Sequence, residues 1–397
     1  MGLVRLLPDK LPLALDRRPP LEKAFSIEEL RRLARRRLPR MVFDFIDGGA
    51  DDEVTLRRNR SAFEQVPLVP QVLVDVGARD QSVTVLGREL PSPLVLGPAG
   101  LAGIAYPGGE AVVAGAAGLR GLPFVLSTAG SASIEDVAAA ATGPLWFQLY
   151  LWRDRSVTRS LVERAQAAGY EALCLTVDVP LSGQRERDLR HGFTIPPRVT
   201  ARNAVDVVTH PGWARRVLGG PPVTFGNFTD MSASTDYVSL GQIVNGQLNP
   251  TATWDDLRWL RDLWPGSFVV KGIMTAADAA RAADAGVDAV VVSNHGGRQL
   301  DGLPGTLDVL PSVVDAVGDR VEVLLDGGVR RGTDVLKALS LGARACLIAR
   351  PYLYGLAAGG PDGVLRAVDL LVAEIDRAMA LLGRPSLAKA ESEVYNS

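Results

Sequence analysis

Eight short apolar runs recur between residues 94 and 351, at 94–100, 124–130, 145–151, 172–178, 268–272, 289–297, 322–328 and 345–351. Most are followed by residues with helical spacing, as at 109–119, 156–168, 275–285 and 333–341. Strands that alternate with helices pair in parallel, because each helix carries the chain back across the sheet, and eight such units close into a barrel. The prediction is an α/β fold, a (β/α)8 TIM barrel. A doubly wound open sheet is the alternative, but no G-x-G-x-x-G follows the first run. Ser133 before Ile-Glu-Asp and Thr275 before Ala-Ala-Asp supply hydroxyl caps for two of the crossover helices.

Two segments stand outside this repeat. Residues 1–90 carry a basic helix pattern at 27–38, then Pro39, then helical stretches at 41–47 and 59–63. They predict a packed N-terminal helical extension, with Arg31, Arg32, Arg35, Arg36 and Arg37 on a solvated face. The interval 180–265, after the fourth run, ends in an amphipathic helix at 253–263 and is otherwise rich in Gly, Pro, Asn, Thr and Ser. It reads as a long insert over the barrel mouth, and excursions of this length are usually functional. Extension (1–90), barrel (91–383) and insert (180–265) are expected to form a single domain over 1–397.

Barrel enzymes gather their chemistry at the C-terminal mouth, and all eight runs end in polar or conformationally special residues. In order these are Pro98-Ala99-Gly100, Ser127-Thr128, Gln148 with Tyr150, Thr176 with Asp178, Lys271, Ser293 to Arg298, Asp326-Gly327-Gly328, and Arg350. The sixth is the most telling, because Ala-Val-Val-Val breaks there into Ser293, Asn294, His295, Gly296, Gly297 and Arg298. Histidine titrates near neutrality and suits proton abstraction. Arg298 offers a planar fork for a carboxylate, while Gly296 and Gly297 permit a tight turn against a flat ligand. A base beside a carboxylate clamp predicts proton abstraction from a small acid. The bland alternative is a surface turn that happens to hold His and Arg. After the seventh run, Asp326-Gly-Gly-Val-Arg330-Arg331 leads into a helix start at Gly332-Thr333. Glycine amides and arginines there predict a phosphate cradle, against an ordinary glycine turn.

A net charge of −2 leaves no basic field for nucleic acid. Cys174 and Cys346 lie inside apolar runs, which predicts small buried residues in a reducing compartment, with neither a disulfide nor a metal site. No apolar run reaches the roughly 18 residues of a membrane span, and Pro8, Pro12, Pro19 and Pro20 interrupt the region where a signal-peptide core would lie. A cytoplasmic protein is expected. Trp213, Arg215, Arg216, Val217 and Leu218 form a candidate patch for peripheral contact with the inner membrane surface, although 225–250 lacks the basic, apolar faces of an interfacial helix.

S-N-H-G-G-R-Q-L-D at 293–301, together with L-T-V-D, Q-L-Y, V-K-G and L-L-D-G-G-V-R-R-G-T-D-V, resembles the FMN-dependent 2-hydroxy acid oxidase and dehydrogenase family, which includes glycolate oxidase. The likeness spans roughly 26–383. H-P-G-W at 210–213 and W-D-D-L-R-W-L-R-D-L-W-P at 254–265 are most similar to the mandelate dehydrogenase branch. The resemblance implies FMN as cofactor, a 2-hydroxy acid as substrate, oxygen or a quinone-type electron acceptor, and a homo-oligomer, by family habit a tetramer. It implies His295 as base, Asp178 as the carboxylate steadying the imidazolium, and Arg298 and Arg185 as the substrate-carboxylate clamp. Tyr150 would hydrogen-bond near the reacting carbon and Lys271 would sit beside the flavin. Pro98, Ala99, Gly100, Ser127, Gln148, Thr176 and Ser293 would contact the isoalloxazine, and Asp326, Gly328, Arg330 and Arg350 the ribityl and phosphate groups.

Several departures from the glycolate oxidase pattern matter. Phe45 stands where a tyrosine would donate to the substrate carboxylate, and Ala129 where a tryptophan would cover the substrate. The vacated space favours an aromatic acid such as mandelate, with lactate or another aliphatic acid, or a repurposed biosynthetic oxidation, as alternatives. Gly100 stands where glycolate oxidase has alanine and the mandelate dehydrogenase branch glycine, which favours slow reaction with oxygen. Ala349 replaces a glycine near the phosphate.

Overall fold

The computed structural model describes residues 19–193, 200–201, 203–220, 223–228 and 246–387. Eight parallel strands follow the eight runs: β1 (Leu94–Leu96), β2 (Phe124–Ser127), β3 (Leu145–Leu149), β4 (Ala172–Thr176), β5 (Ser267–Ile273), β6 (Ala289–Val292), β7 (Glu322–Leu325) and β8 (Ala345–Ile348). β8 pairs with both β7 and β1, Cys346 lying opposite Leu325 on one side and Leu94 on the other, so the sheet closes into a (β/α)8 barrel. Leu, Val and Ala fill most strand positions because both faces are covered, inward by the barrel core and outward by helices. Cys174 and Cys346 are buried free thiols within β4 and β8.

The strands are shorter than the runs, for a local reason in each case. β1 stops ahead of Pro98, which has no N–H to pair. β6 stops at Val292 because His295, Gly296 and Gly297 adopt φ of +57°, +63° and +74°, left-handed torsions that no strand accommodates. A Cβ on Gly297 would lie 2.7 Å from the Leu56 backbone nitrogen. The two expected caps form, with Ser133 Oγ accepting from Asp136 N at 3.0 Å and Thr275 Oγ1 from Asp278 N at 3.1 Å.

The extension supplies three helices, α1 (Ile27–Arg37), α2 (Arg40–Asp47) and α3 (Val54–Gln65). α1 packs its Ile27, Leu30 and Ala34 face against the helix Arg350–Gly359 that follows β8. Its arginines are not all merely solvated. Arg31 forks onto the buried Asp47 carboxylate at 2.6 and 2.8 Å, and Arg37 donates to the Ala358 carbonyl. α3 reaches the barrel mouth, where Asn59 exchanges two 2.8 Å amide hydrogen bonds with Asn294.

The insert begins with a helix at Glu186–His191 and ends in the helix Trp254–Leu263. Its candidate membrane patch is corrected in part: Arg215, Arg216 and Leu218 stay exposed. Trp213 and Val217 are buried, and the Trp213 indole donates to the Ile104 carbonyl at 2.7 Å, so both side chains hold the insert onto the barrel. The exposed apolar residues nearby are Val205, Val208 and Leu218. Part of the polar stretch 225–250 lies outside the described residues. No helix among the described residues is long and apolar enough to cross a membrane.

Candidate active site

The strand ends converge on one cavity of about 260 Å³ at the barrel mouth. Of the residues given a role by the family resemblance, all line it except Asp178 and Ser293, and those two stand directly behind His295 and Lys271; Asn294, Gly297 and Arg331 lie outside the lining. His295 Nδ1 lies 2.9 Å from Asp178 Oδ1, while Ser293 Oγ accepts from the His295 backbone N–H at 3.1 Å. With Nδ1–H donated to Asp178, the imidazole keeps its lone pair at Nε2. Burial pushes the Asp178 carboxyl up, but His295 and Lys271 outweigh it and hold the group below its ordinary range. An ionised carboxylate is therefore in place to balance an imidazolium.

Lys271 is buried, with Nζ 2.8 Å from both Asp326 Oδ2 and Ser293 Oγ. Burial opposes its charge, yet Asp326 and Asp178 together raise its pKa above the usual lysine value, so the ammonium persists. Gln148 Oε1 accepts from Ser127 Oγ at 2.9 Å and from Thr128 N at 3.3 Å. Those donors fix which end of the amide is oxygen and leave Nε2 as the outward donor. Gln148 Nε2, Thr176 Oγ1 and Asp326 Oδ1 have no hydrogen-bond partner among the described residues, although all three are buried. Unsatisfied polar atoms clustered beside a charged ammonium call for a polar ligand.

Two arginines meet over one ring. The guanidinium carbons of Arg298 and Arg185 lie 5.2 and 5.8 Å from the Phe45 centroid, and Phe193 stacks on the same ring at 4.4 Å. Arg298 donates to the carbonyls of Phe45 and Gly48 at 2.8 and 3.0 Å, and Arg185 to Asp188 at 2.9 Å. Burial, with Arg185 and Arg350 close by, pushes the Arg298 guanidinium down to about 9. The cluster is short of negative charge, which a carboxylate supplies. Burial and Asp178 push the Tyr150 phenol up to about 12, so it stays a neutral hydrogen-bond donor.

At the other end the expected cradle is corrected in part. The amides of Arg330 and Arg331 donate to Asp334 at 2.8 and 3.0 Å, and that of Gly332 to Glu374 at 2.8 Å. The start of the helix Gly332–Ser340 is thus capped by the protein's own carboxylates and offers no free amides at those positions. Gly328 and the Arg330 side chain remain on the cavity wall. Arg350 lines it too, while donating to the carbonyls of Ile46, Gly48 and Gly296 at 3.1, 2.8 and 2.9 Å.

Sequence reasoning missed several contributors. Asn59 accepts from Thr306 N at 3.1 Å besides pairing with Asn294, so a helix of the extension braces the His295 loop. Glu110 is fully buried and accepts from Ala102 N, Ser131 N and Ser131 Oγ, tying the loop after Gly100 to the loop after Ala129. Trp152, Phe225 and Leu248 add apolar wall to the cavity. None of these carries a local signal, because each acts across a long sequence separation.

A parallel barrel with buried ammonium, arginine pair and His–Asp couple at its mouth defines a cofactor-dependent barrel enzyme. Comparison with known proteins makes this specific. Residues 34–397 match the FMN-dependent dehydrogenase family, and the chain belongs to that family. It is similar to an L-lactate oxidase from Nostoc sp., 46% identical over 91% of this chain and 95% of the relative. It is also similar to the (S)-mandelate dehydrogenase of Pseudomonas putida, 43% identical over 92% of each chain. A crystal structure described as monotopic membrane protein (S)-mandelate dehydrogenase superposes with a TM-score of 0.89 at 43% identity, covering 92% of this chain and 97% of that one. The site fits an FMN: Gln148 Nε2 and Thr176 Oγ1 await a polar ring edge, Lys271 supplies a cation, and Arg330 suits a phosphate.

Proposed function

We propose that this flavoenzyme oxidises an aromatic L-2-hydroxy acid of the mandelate type to the 2-oxo acid. FMN-dependent 2-hydroxy acid oxidation is the chemistry of its family; the aromatic substrate is the step proposed here. The observation that carries it is the wall made by Ala129, Trp152, Phe225 and Leu248 in the same cavity as the arginine pair. A small residue at 129 and three large apolar ones suit a phenyl ring, whose burial is favourable by about 25 cal/mol per Å².

Oxidation removes two electrons and two protons from the hydroxy acid; bound FMN would take up the electron pair with one hydrogen, which leaves one proton for a base of the protein. Arg185 and Arg298 hold the carboxylate as a fork, with Phe45 presenting a ring face to both cations instead of a hydroxyl. His295 takes a substrate proton at Nε2, Asp178 balances the imidazolium, and the neutral Tyr150 hydroxyl donates beside the reacting carbon. Lys271 would sit at the flavin edge with Pro98, Ala99, Gly100, Ser127, Gln148, Thr176 and Ser293. Asp326, Gly328, Arg330 and Arg350 would hold the ribityl chain and phosphate. A Cβ at Gly100 would lie 2.9 Å from the Ala129 carbonyl oxygen, so the glycine keeps the two loops close. The match of Gly100 to the mandelate dehydrogenase branch supports a dehydrogenase that passes electrons to a quinone-type carrier rather than to oxygen.

The relation to a lactate oxidase favours a second reading, an aliphatic acid. Anaerobic mixing with (S)-mandelate and with L-lactate separates the two. Mandelate should bleach the flavin absorbance faster at equal concentration, and faster bleaching by lactate would reject the aromatic reading. We further propose one domain over 1–397 and a mainly cytoplasmic enzyme. Recovery in membrane pellets at moderate salt without detergent would show peripheral attachment instead.

A further inference from the structure

The indole of Trp152 is 2% exposed, lines the cavity, and its Nε1 has no hydrogen-bond partner among the described residues. Two other buried indoles find acceptors: Trp213 donates to the Ile104 carbonyl at 2.7 Å and Trp264 to that of Ser267 at 3.0 Å. A buried donor left without an acceptor is destabilising by roughly 1–3 kcal/mol, and such groups in native proteins usually have a use. Trp152 is also held rigidly. Its backbone N–H donates to Thr158 Oγ1 at 3.2 Å, it bridges to Leu248 of the insert, and its ring rests on Phe228 with centroids 4.6 Å apart. The insert is anchored there in turn, with Asn227 accepting from Ile134 N at 2.9 Å and Gly226 N donating to the Gly130 carbonyl at 2.9 Å.

We infer that Trp152 is a specificity-determining residue whose indole N–H binds a hydrogen-bond acceptor carried on the ring of the aromatic 2-hydroxy acid. The inference rests on the aromatic reading above. A fixed donor inside an apolar wall discriminates strongly, because a ring without an acceptor leaves the N–H unpaired whereas a ring with one satisfies it. The competing account is that the N–H already points at the face of Phe228, a weak interaction of its own.

The test uses the holoenzyme and (S)-mandelates carrying either a hydroxyl or a methyl, groups of similar size, at ring position 3 and again at position 4. At one of the positions kcat/KM should favour the hydroxyl roughly tenfold or more. In Trp152→Phe that ratio should fall to near one, the flavin content being checked by absorbance. A wild-type ratio near one at both positions overturns the inference, whether or not the variant folds. An unchanged ratio in Trp152→Phe overturns it as well, and an N–H engaged by Phe228 predicts that result. If L-lactate outpaces every mandelate, the aromatic reading fails, and the hydroxyl-to-methyl ratio still reports on Trp152 separately.

Discussion

His295 occupies a left-handed torsion, φ +57°, that a bulky side chain adopts only when its surroundings impose it. The surroundings are identifiable: Ser293 Oγ holds its backbone N–H, Asp178 its Nδ1, and the Asn59–Asn294 amide pair locks the preceding residue. Replacing His295 with Gln should leave FMN bound and lower the rate of flavin reduction by roughly three orders of magnitude or more. A variant that kept a tenth of the wild-type rate would remove His295 as the base. Tyr150 gives a prediction of different sign. Its raised pKa of about 12 keeps the neutral phenol across the assay range, so it contributes no basic limb to kcat/KM below about pH 10. Tyr150→Phe should therefore lower kcat/KM while leaving the shape of its pH profile from about pH 6 to 10 unchanged. A basic limb that moves in this variant would assign that limb to Tyr150. His295 and Arg298 were legible because they sit in one contiguous, chemically crowded turn. Asn59 was not, since nothing within the extension announces a partner 235 residues away.

The elements were legible to the extent that their signals are local. Alternation of apolar runs and helical spacing located all eight strands, and hydroxyl caps marked the helices after Ser133 and Thr275. Where the expectation failed, a distant residue had intervened. The helix start at Gly332 looked free in sequence, but Glu374 reaches it from the C-terminal helix Pro361–Leu382. Trp213 looked like part of a surface patch until the loop around Ile104 buried it. The wall of the cavity is likewise built between elements, by the loop after β2 carrying Ala129 and by insert residues Phe225 and Leu248. Ala129→Trp tests this arrangement. An indole there would fill the space proposed for the phenyl ring, where each CH₂ buried is worth about 0.8 kcal/mol, so kcat/KM for mandelate should fall at least roughly tenfold. L-Lactate, which needs no such space, should lose much less. If mandelate turnover is unaffected, the ring lies elsewhere.

The extension and the barrel are joined at a buried carboxylate. Asp47, at the end of α2, receives the Arg31 fork from α1, the Tyr354 hydroxyl at 2.8 Å from the helix after β8, and Arg187 at 3.2 Å from the helix that opens the insert. One residue therefore ties together parts of the chain that flank the arginine clamp: Phe45 lies two positions before it, and Arg185 two before Arg187. Burial alone would raise the Asp47 carboxyl, but the Arg31 hydrogen bonds, with Tyr354 and Arg350, hold it at about 2. A folded-state value below the unfolded value of about 3.9 means that the ionised form favours the fold. The contribution is full above about pH 4 and is lost as pH falls through about 2. At about 1.36 kcal/mol per unit it amounts to something on the order of 2 kcal/mol. Asp47→Asn should lower the unfolding free energy obtained from urea titration at pH 7 by at least that much, because Arg31 and Arg187 also lose their counter-charge. The gap between wild type and variant should narrow when both are measured near pH 3, where the unfolded wild-type carboxylate is mostly protonated while the folded one stays mostly ionised. An equal gap at both pH values would show that Asp47 holds the extension through hydrogen-bond geometry alone, without its charge.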